Sequence, residues 1–248
     1  MTKRIMSRFF ALAGAMLLSA SAFAAGGGGA LQAAGNDLSD RASLQRGAQL
    51  YMSYCAGCHS LQYLRYSRIA SDLGLTEDEV MQNLNFTGGK IGDQVHTSLS
   101  VEQATQWFGK MPPDLTLISR VRGSDWVYTY LKSFYLDESR PLGWNNQLFP
   151  NASMPNPFWE LQGLQHAEYG KAEGGGDRPV VGLKVAAPGN VSPQDYDRAV
   201  RDVTNFLEYA GEPAALKRQS IGVWVLLFLA ALTFLAYLLK QEYWRDVH

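Results

Sequence analysis

The sequence predicts an all-α exported domain with long loops, followed by one C-terminal transmembrane helix. Apolar residues recur at helical spacing in two separate segments, one beginning at Leu44 and the other at Tyr196, and the run 221–239 contains no charge. Long loops are predicted because four prolines fall within 140–158 and because 170–192 is rich in glycine and proline. The 248 residues are 46% hydrophobic and 12% aromatic with a net charge of −1, which excludes a disordered chain. The absence of a basic stripe gives no reason to expect nucleic acid as a partner.

The N-terminus has the three parts of a secretory signal peptide. Basic residues precede the apolar run 9–18, and small residues then lead to an A-x-A pattern that ends at Ala24. We therefore expect residues 1–24 to be removed as a signal peptide. The alternative is an uncut first membrane anchor, which is disfavoured because the apolar run is too short to span a bilayer. The Gly/Ala-rich residues 25–39 are expected to be a flexible lead-in.

The segment 40–211 is expected to fold as one domain whose helices have recognisable ends. Each predicted start carries a side chain that can cap the first turn, and Gly211 with Pro213 should end the last helix. The predicted caps are Thr76 and Ser100, in capping-box spacing with Glu79 and Gln103, then Ser124, and Ser192 followed by Pro193 and Asp195. One short strand is expected near 180–185.

The apolar run 221–239 is long enough to cross a membrane. At about 1.5 Å per residue it reaches about 28 Å, close to the ~30 Å hydrocarbon core. Basic residues flank both of its ends, so the orientation follows from the signal peptide, which would export everything before the helix. We therefore expect a single-pass protein of the cell inner membrane, with a periplasmic domain at 40–211, a linker at 212–220, membrane lipid around the helix and a cytoplasmic tail at 240–248.

Both cysteines lie in one pentapeptide, Cys55-Ala56-Gly57-Cys58-His59, and C-x-x-C-H is the signature of c-type haem attachment. Two thiols at this spacing can add to two vinyl groups at one edge of a porphyrin, while the adjacent histidine turns under the ring to ligate the iron. We therefore predict one haem c, covalently bound by Cys55 and Cys58, with His59 as an axial ligand. A thioredoxin-like redox pair, a zinc site and a structural disulfide are weaker interpretations. A thioredoxin-like pair is disfavoured because the residues around the motif have a helical pattern rather than a βαβ one. A zinc site would need a fourth ligand from a distant part of the chain. A disulfide between Cys55 and Cys58 would close a very small loop and stabilise little.

The residues alone leave the sixth iron ligand and the partners of the haem propionates open. Met154 and Met111 each precede a proline in a predicted loop, and Met154 is favoured because its longer loop can wrap the far haem face. The candidates ranked lower are Met52, Met81, His96 and His166. Propionates need cationic or donor partners, and Arg120 and Arg122 are candidates, although solvated surface arginines would have the same spacing.

Taken in order, the motifs resemble the cytochrome c1 family, the membrane-anchored haem subunits of cytochrome bc1 complexes. The matching features are Arg46, Gly47 and Tyr51 before CAGCH, Ser60, Tyr63 and Tyr66 after it, MPPDL at 111–115 with Arg120 and Arg122, Met154-Pro155, the helix 195–210 and the C-terminal anchor. The resemblance runs from about residue 40 to the end of the chain. It implies a cytochrome-c-like haem domain with Met154 as sixth ligand and Arg122 near a propionate, and we add Arg120, Pro113 and Tyr51 as pocket candidates.

The resemblance also implies electron flow from a Rieske iron–sulfur protein, through this haem, to a soluble or anchored cytochrome c, in a complex with cytochrome b. No substrate-activating group is apparent, so we expect an electron-transfer subunit of a ubiquinol–cytochrome c reductase without catalysis by this chain alone. Two alternatives stay open. One is an anchored cytochrome c of another respiratory complex, such as a terminal oxidase or a nitrite-reducing chain, and the other is a haem-based ligand sensor.

Overall fold

The fold is that of a computed structural model, which describes residues 31–171 and 178–247. The predicted signal peptide lies outside the described residues. The helices are α1 (Arg41–Tyr54), α2 (Tyr66–Leu73), α3 (Glu77–Asn83), α4 (Val101–Phe108), α5 (Ile118–Arg122), α6 (Ser124–Lys132), α7 (Trp159–Gln162), α8 (Pro193–Gly211) and α9 (Ala215–Tyr243). The strands are β1 (Leu61–Arg65), β2 (Gln94–Val95), β3 (Phe134–Leu136), β4 (Trp144–Asn146), β5 (Gly163–Tyr169) and β6 (Val180–Pro188). The prediction of a mainly helical domain with one C-terminal apolar helix is confirmed.

The crossing of α1 and α8 forms the centre of the core. The apolar stripe of each helix is buried, and the rings of Tyr51 and Phe206 lie 5.7 Å apart. Gly47 lies at the point of closest approach, because a Cβ there would be 2.0 Å from the backbone oxygen of Asp202. The buried carboxylate of Asp202 also accepts a hydrogen bond from Arg46 Nε at 2.6 Å. Small size at Gly47 and charge pairing beside it therefore hold the two helices together.

Three of the four predicted helix caps are confirmed. Thr76 and Ser100 each form a complete capping box, and the hydroxyl of Ser192 accepts a hydrogen bond from the backbone N–H of Asp195, the third residue of α8. The prediction for Ser124 was wrong. This residue is the first of α6, and its hydroxyl donates instead to the carboxylate of Glu208 in α8 at 2.7 Å. A partner from a distant part of the chain replaces the local cap.

Two small sheets accompany the helices. β1 pairs with β2, and the second sheet has the order β4-β3-β5-β6, in which β5 and β6 are antiparallel from the pair Gly163–Pro188 to the pair Tyr169–Val180. The strand expected near 180–185 is confirmed as part of β6, whereas the other strands were not predicted. β2, β3 and β4 are only two or three residues long, too short for an apolar–polar alternation to be recognised.

Residues 31–39, the described part of the expected lead-in, pack on the domain. Ala34 is buried, and its backbone N–H donates to the carboxylate of Asp125 in α6 at 2.8 Å. The carbonyl of Ala34 accepts a hydrogen bond from Arg201 Nε of α8, also at 2.8 Å. The packed domain therefore begins before residue 40, because polar contacts with distant helices fix a segment whose composition is that of a linker.

α9 is long and apolar enough to cross a membrane. Its most apolar window has a mean hydropathy of 2.4, and none of that window is buried against the rest of the protein. The helix encloses the predicted span 221–239 and, with 29 residues, is about 44 Å long, more than the ~30 Å hydrocarbon core. Since α8 ends at Gly211, only residues 212–214 separate the two helices, fewer than the expected linker 212–220.

Candidate haem site

The C-x-x-C-H motif lies at the C-terminal end of α1. Cys55 caps the helix, and the backbone N–H groups of Cys58 and His59 both donate to the Cys55 carbonyl, at 3.0 and 2.8 Å. The two thiols are not joined to each other; that of Cys55 is buried, and that of Cys58 is partly exposed. Burial raises the pKa of Cys55 to about 12, so this sulfur is held as a thiol. One tight turn thus presents two thiols and an imidazole together.

Two hydrogen bonds fix His59. The hydroxyl of Tyr51 donates to the backbone oxygen of His59 at 2.8 Å, and His59 Nδ1 lies 2.7 Å from the carbonyl oxygen of Pro113. A carbonyl can only accept, so Nδ1 carries the proton and Nε2 keeps its lone pair. Burial lowers the pKa of His59, which favours the neutral imidazole, the form that binds a metal.

The segment 111–115 is fixed directly beside the motif. The N–H of Leu115 donates to the carbonyl of Ser60, the residue after His59, at 3.0 Å. The two consecutive prolines of the segment have no N–H, so its backbone offers carbonyl acceptors at this place. The structure therefore brings the sequence candidates Pro113 and Tyr51 into contact with His59.

Met154 lies half-buried in the loop between β4 and α7. Its sulfur is 3.6 Å from the hydroxyl of Tyr130 in α6, which donates to it. The same loop ends near Phe158, whose fully buried ring lies 5.0 Å from that of Tyr54, the residue directly before Cys55. The loop of Met154 is thereby attached to the end of the helix that carries the motif.

An aromatic cluster linked to Met154 was not predicted. Trp126 stacks on Tyr130 with ring centroids 5.0 Å apart and planes 8° apart, and Phe149 meets Trp126 edge-on at 6.2 Å. Trp126 and Tyr130 are four residues apart, so they lie on one face of α6. No signal in the sequence indicated that this face lies against the loop of Met154.

The two candidate arginines have different surroundings. The guanidinium of Arg122 lies 5.1 Å from the ring centroid of Trp126 and 5.9 Å from that of Phe149. Arg120 instead forms an ion pair with Glu212, at the junction with α9. Arg122 makes no ion pair with any residue in 31–171 or 178–247. The structure thus places Arg122, but not Arg120, at the aromatic cluster.

The two lower-ranked histidines lie on the surface. His96 and His166 are both exposed, and His166 lies in β5 opposite Lys184 of β6. In the part of the chain that the structure describes, no group of three or more His, Cys, Asp and Glu side chains could hold a metal ion. An ordinary zinc site, which takes four protein ligands, therefore has no counterpart there.

The donor set fits a c-type haem, because two unjoined thiols and an imidazole with a fixed tautomer come from one turn. A C-x-x-C-H motif on a mainly helical domain with an apolar C-terminal helix defines a membrane-anchored c-type cytochrome. Comparison with known proteins narrows this class. The model of the cytochrome c1 family matches residues 36–247.

Individual known proteins are also similar to this chain. A cytochrome c1 of Allochromatium vinosum is 54% identical over 100% of both chains. The ammonia monooxygenase gamma subunit of Nitrosomonas europaea is 43% identical over 86% of each chain. A solved chain of a hyperthermophilic respiratory complex III aligns over 100% of both chains, with a TM-score of 0.48 and 16% identity. On the family model and the sequence identities, the chain belongs to the cytochrome c1 family, the haem proteins of electron transport that its motifs resemble.

Proposed function

We propose that this chain holds one haem c through thioether bonds to Cys55 and Cys58, with His59 and Met154 as axial ligands, and carries electrons within a quinol–cytochrome c reductase. The bond between His59 Nδ1 and the Pro113 carbonyl carries the proposal, because it fixes the tautomer in which only Nε2 can ligate. When bound, the haem supplies reversible one-electron exchange between Fe(II) and Fe(III). The protein supplies its position, its ligands and its electrostatic surroundings.

The same bond favours Met154 over Met111 as the sixth ligand. The two ring nitrogens of His59 point to different sides of the imidazole, so the Pro113 carbonyl, two residues from Met111, lies on the side away from the ligating nitrogen. Met111 would have to cross the haem plane to reach the opposite face. Met154 comes from a separate loop and already has a fixed sulfur contact, and a thioether opposite histidine raises the reduction potential.

Arg122 is our candidate for the propionate partner. A guanidinium donates paired hydrogen bonds to a carboxylate, and Arg122 stands at the aromatic cluster next to Met154 with no ion pair to the residues described. Arg120 is engaged by Glu212, so we assign it a role at the junction between the haem domain and the anchor.

The proposed assembly places the haem domain on the periplasmic face of the inner membrane, beside cytochrome b, with residues 240–248 in the cytoplasm. Electrons would arrive from a Rieske iron–sulfur protein and leave to a soluble or anchored cytochrome c. The full-length identity of 54% to the Allochromatium vinosum cytochrome c1, the signal-peptide pattern and the apolar helix α9 support this placement.

A second candidate comes from the relative in Nitrosomonas europaea, whose name assigns it to an ammonia monooxygenase. In that case the same haem domain would pass electrons within a different membrane oxidoreductase. The haem site itself would be unchanged, because the second candidate differs only in the partner subunits.

Purification of the tagged chain from membranes in mild detergent separates the two candidates. The first predicts that cytochrome b and a Rieske protein co-purify and that the reduced-minus-oxidised spectrum contains a c-type haem. Co-purification with monooxygenase subunits, without cytochrome b, would favour the second. A parallel purification from a strain with the untagged chain identifies proteins that bind the resin by themselves.

A further inference from the structure

We propose that Tyr130 is a positioning residue for Met154 and that its hydroxyl raises the reduction potential by donating a hydrogen bond to the thioether sulfur. The inference rests on the proposed ligation of the haem iron by Met154. It adds Tyr130 to the proposed haem site. This residue lies in the helix α6, outside the C-x-x-C-H motif, the segment 111–115 and the loop of Met154.

The geometry of this contact suits a ligand that is shared between iron and a hydrogen bond. The Tyr130 hydroxyl lies 3.6 Å from Met154 Sδ and has no other hydrogen-bond partner in the portions of the chain described. A thioether sulfur has two lone pairs, and it is a weak acceptor. When one lone pair is given to the iron, the other can still accept the hydroxyl proton.

Two ring contacts and one backbone hydrogen bond hold Tyr130 in place. It stacks on Trp126 at 5.0 Å, meets Phe134 edge-on at 5.0 Å, and the backbone carbonyl of Tyr130 accepts a hydrogen bond from the fully buried Asn146 at 2.8 Å. The hydroxyl therefore has a fixed position from which it can orient the sulfur.

The direction of the effect follows from ligand chemistry. A hydrogen bond draws electron density from the sulfur and weakens its donation to the iron. Fe(III) depends on that donation more than Fe(II) does, so the bond stabilises the reduced form. Because a thioether is a weak acceptor, we expect the bond to differ between the two iron states by an amount near the low end of neutral hydrogen-bond strengths. That is about a threefold change in the equilibrium constant for reduction, or about 28 mV at ~59 mV per tenfold change.

Tyr130→Phe in the full haem-loaded chain tests the inference, because it removes the hydroxyl and keeps the ring. We expect the potential in a redox titration to fall by about 28 mV, and the near-infrared sulfur-to-iron band to remain but move. Tyr128→Phe is the matched control. It lies on the same helix, but its hydroxyl donates to Asp197, so the potential and the band should not change.

The outcomes distinguish this inference from the proposed ligation. Met154→Leu that keeps the sulfur-to-iron band would overturn both. Met154→Leu that loses the band, together with a Tyr130→Phe variant whose potential and band are unchanged, would overturn only the role of Tyr130. An equal shift in Tyr128→Phe would also overturn it, because the effect would then belong to the whole helix. Adding Tyr130→Phe to Met154→Leu should cause no further shift, and an undiminished shift in that double variant would count against an action through the sulfur.

Discussion

Replacing Gly47 by alanine tests the crossing of α1 and α8, which positions the haem motif. The new Cβ would lie 2.0 Å from the carbonyl oxygen of Asp202 and 2.8 Å from the Cβ of Phe206. A carbon–oxygen contact needs about 3.3 Å, so the helices would have to separate by about 1.3 Å. The nearest atom to the new Cβ belongs to the backbone of Asp202, which cannot rotate out of the way as a long side chain could.

The separation would also loosen the hydrogen bonds to the buried carboxylate of Asp202, which come from Ser43 Oγ and Arg46 Nε, both at 2.6 Å. Overpacking costs about 1–3 kcal/mol, and weakened hydrogen bonds to a charged group add about 1.5 kcal/mol. The better helix propensity of alanine offsets about 0.5–1 kcal/mol of this cost. We expect a net loss of about 3 kcal/mol, which lowers the melting temperature by about 6–12 °C in a domain of this size.

The assay is thermal unfolding of the full chain in mild detergent, followed by far-ultraviolet circular dichroism. Gly92→Ala is the matched control, because a Cβ at that glycine meets nothing within 4 Å. Its melting temperature should stay within about 1–2 °C of the unmodified protein. An unchanged melting temperature for Gly47→Ala would refute the close approach of the two helices.

The remaining predictions concern attachment, charge and topology. A denaturing gel stained for haem peroxidase activity should mark the band of this chain, whereas haem that acid acetone extracts would contradict covalent attachment. Arg122→Gln should lower the reduction potential, because a positive charge at a propionate favours the reduced iron. Arg120→Gln should leave the potential unchanged, since its partner is Glu212, and equal shifts from the two variants would argue against assigning only Arg122 to the haem. Protease added to spheroplasts should remove the haem domain and spare α9. A haem domain that is protected until the membrane is broken would lie on the cytoplasmic side and would contradict the proposed topology.

The parts of the fold that the sequence predicts are those with local signals. The capping boxes at Thr76 and Ser100 and the start of α8 at Ser192 each need only residues a few positions apart, and all three are confirmed. Ser124 is also a residue type that caps helices, but its hydroxyl donates to the carboxylate of Glu208 in another helix. Residues 31–39 likewise have the composition of a linker, but hydrogen bonds to the distant helices α6 and α8 hold them on the domain.

The residues of the haem site also fall into two groups, those recognisable from the sequence and those that only the folded chain identifies. The two thiols and His59 are recognisable because the attachment chemistry requires a fixed spacing. Arg120 and Arg122 could not be separated, since only the folded chain shows which of them meets Glu212 and which meets Trp126. The sequence suggested Pro113 as a pocket residue, but the bond between its carbonyl and the imidazole depends on a contact across 54 positions of the chain.

The near-infrared spectrum of the ferric protein is the most direct test of the claim that His59 and Met154 hold the iron from opposite faces. We predict that Met154→Leu abolishes the sulfur-to-iron charge-transfer band, lowers the potential sharply and lets carbon monoxide bind the ferrous form. Met111→Leu should keep the band, because the nearby Pro113 carbonyl binds the ring nitrogen of His59 that faces away from the iron. A Met111→Leu variant that loses the band, beside a Met154→Leu variant that keeps it, would show that Met111, not Met154, is the sixth ligand.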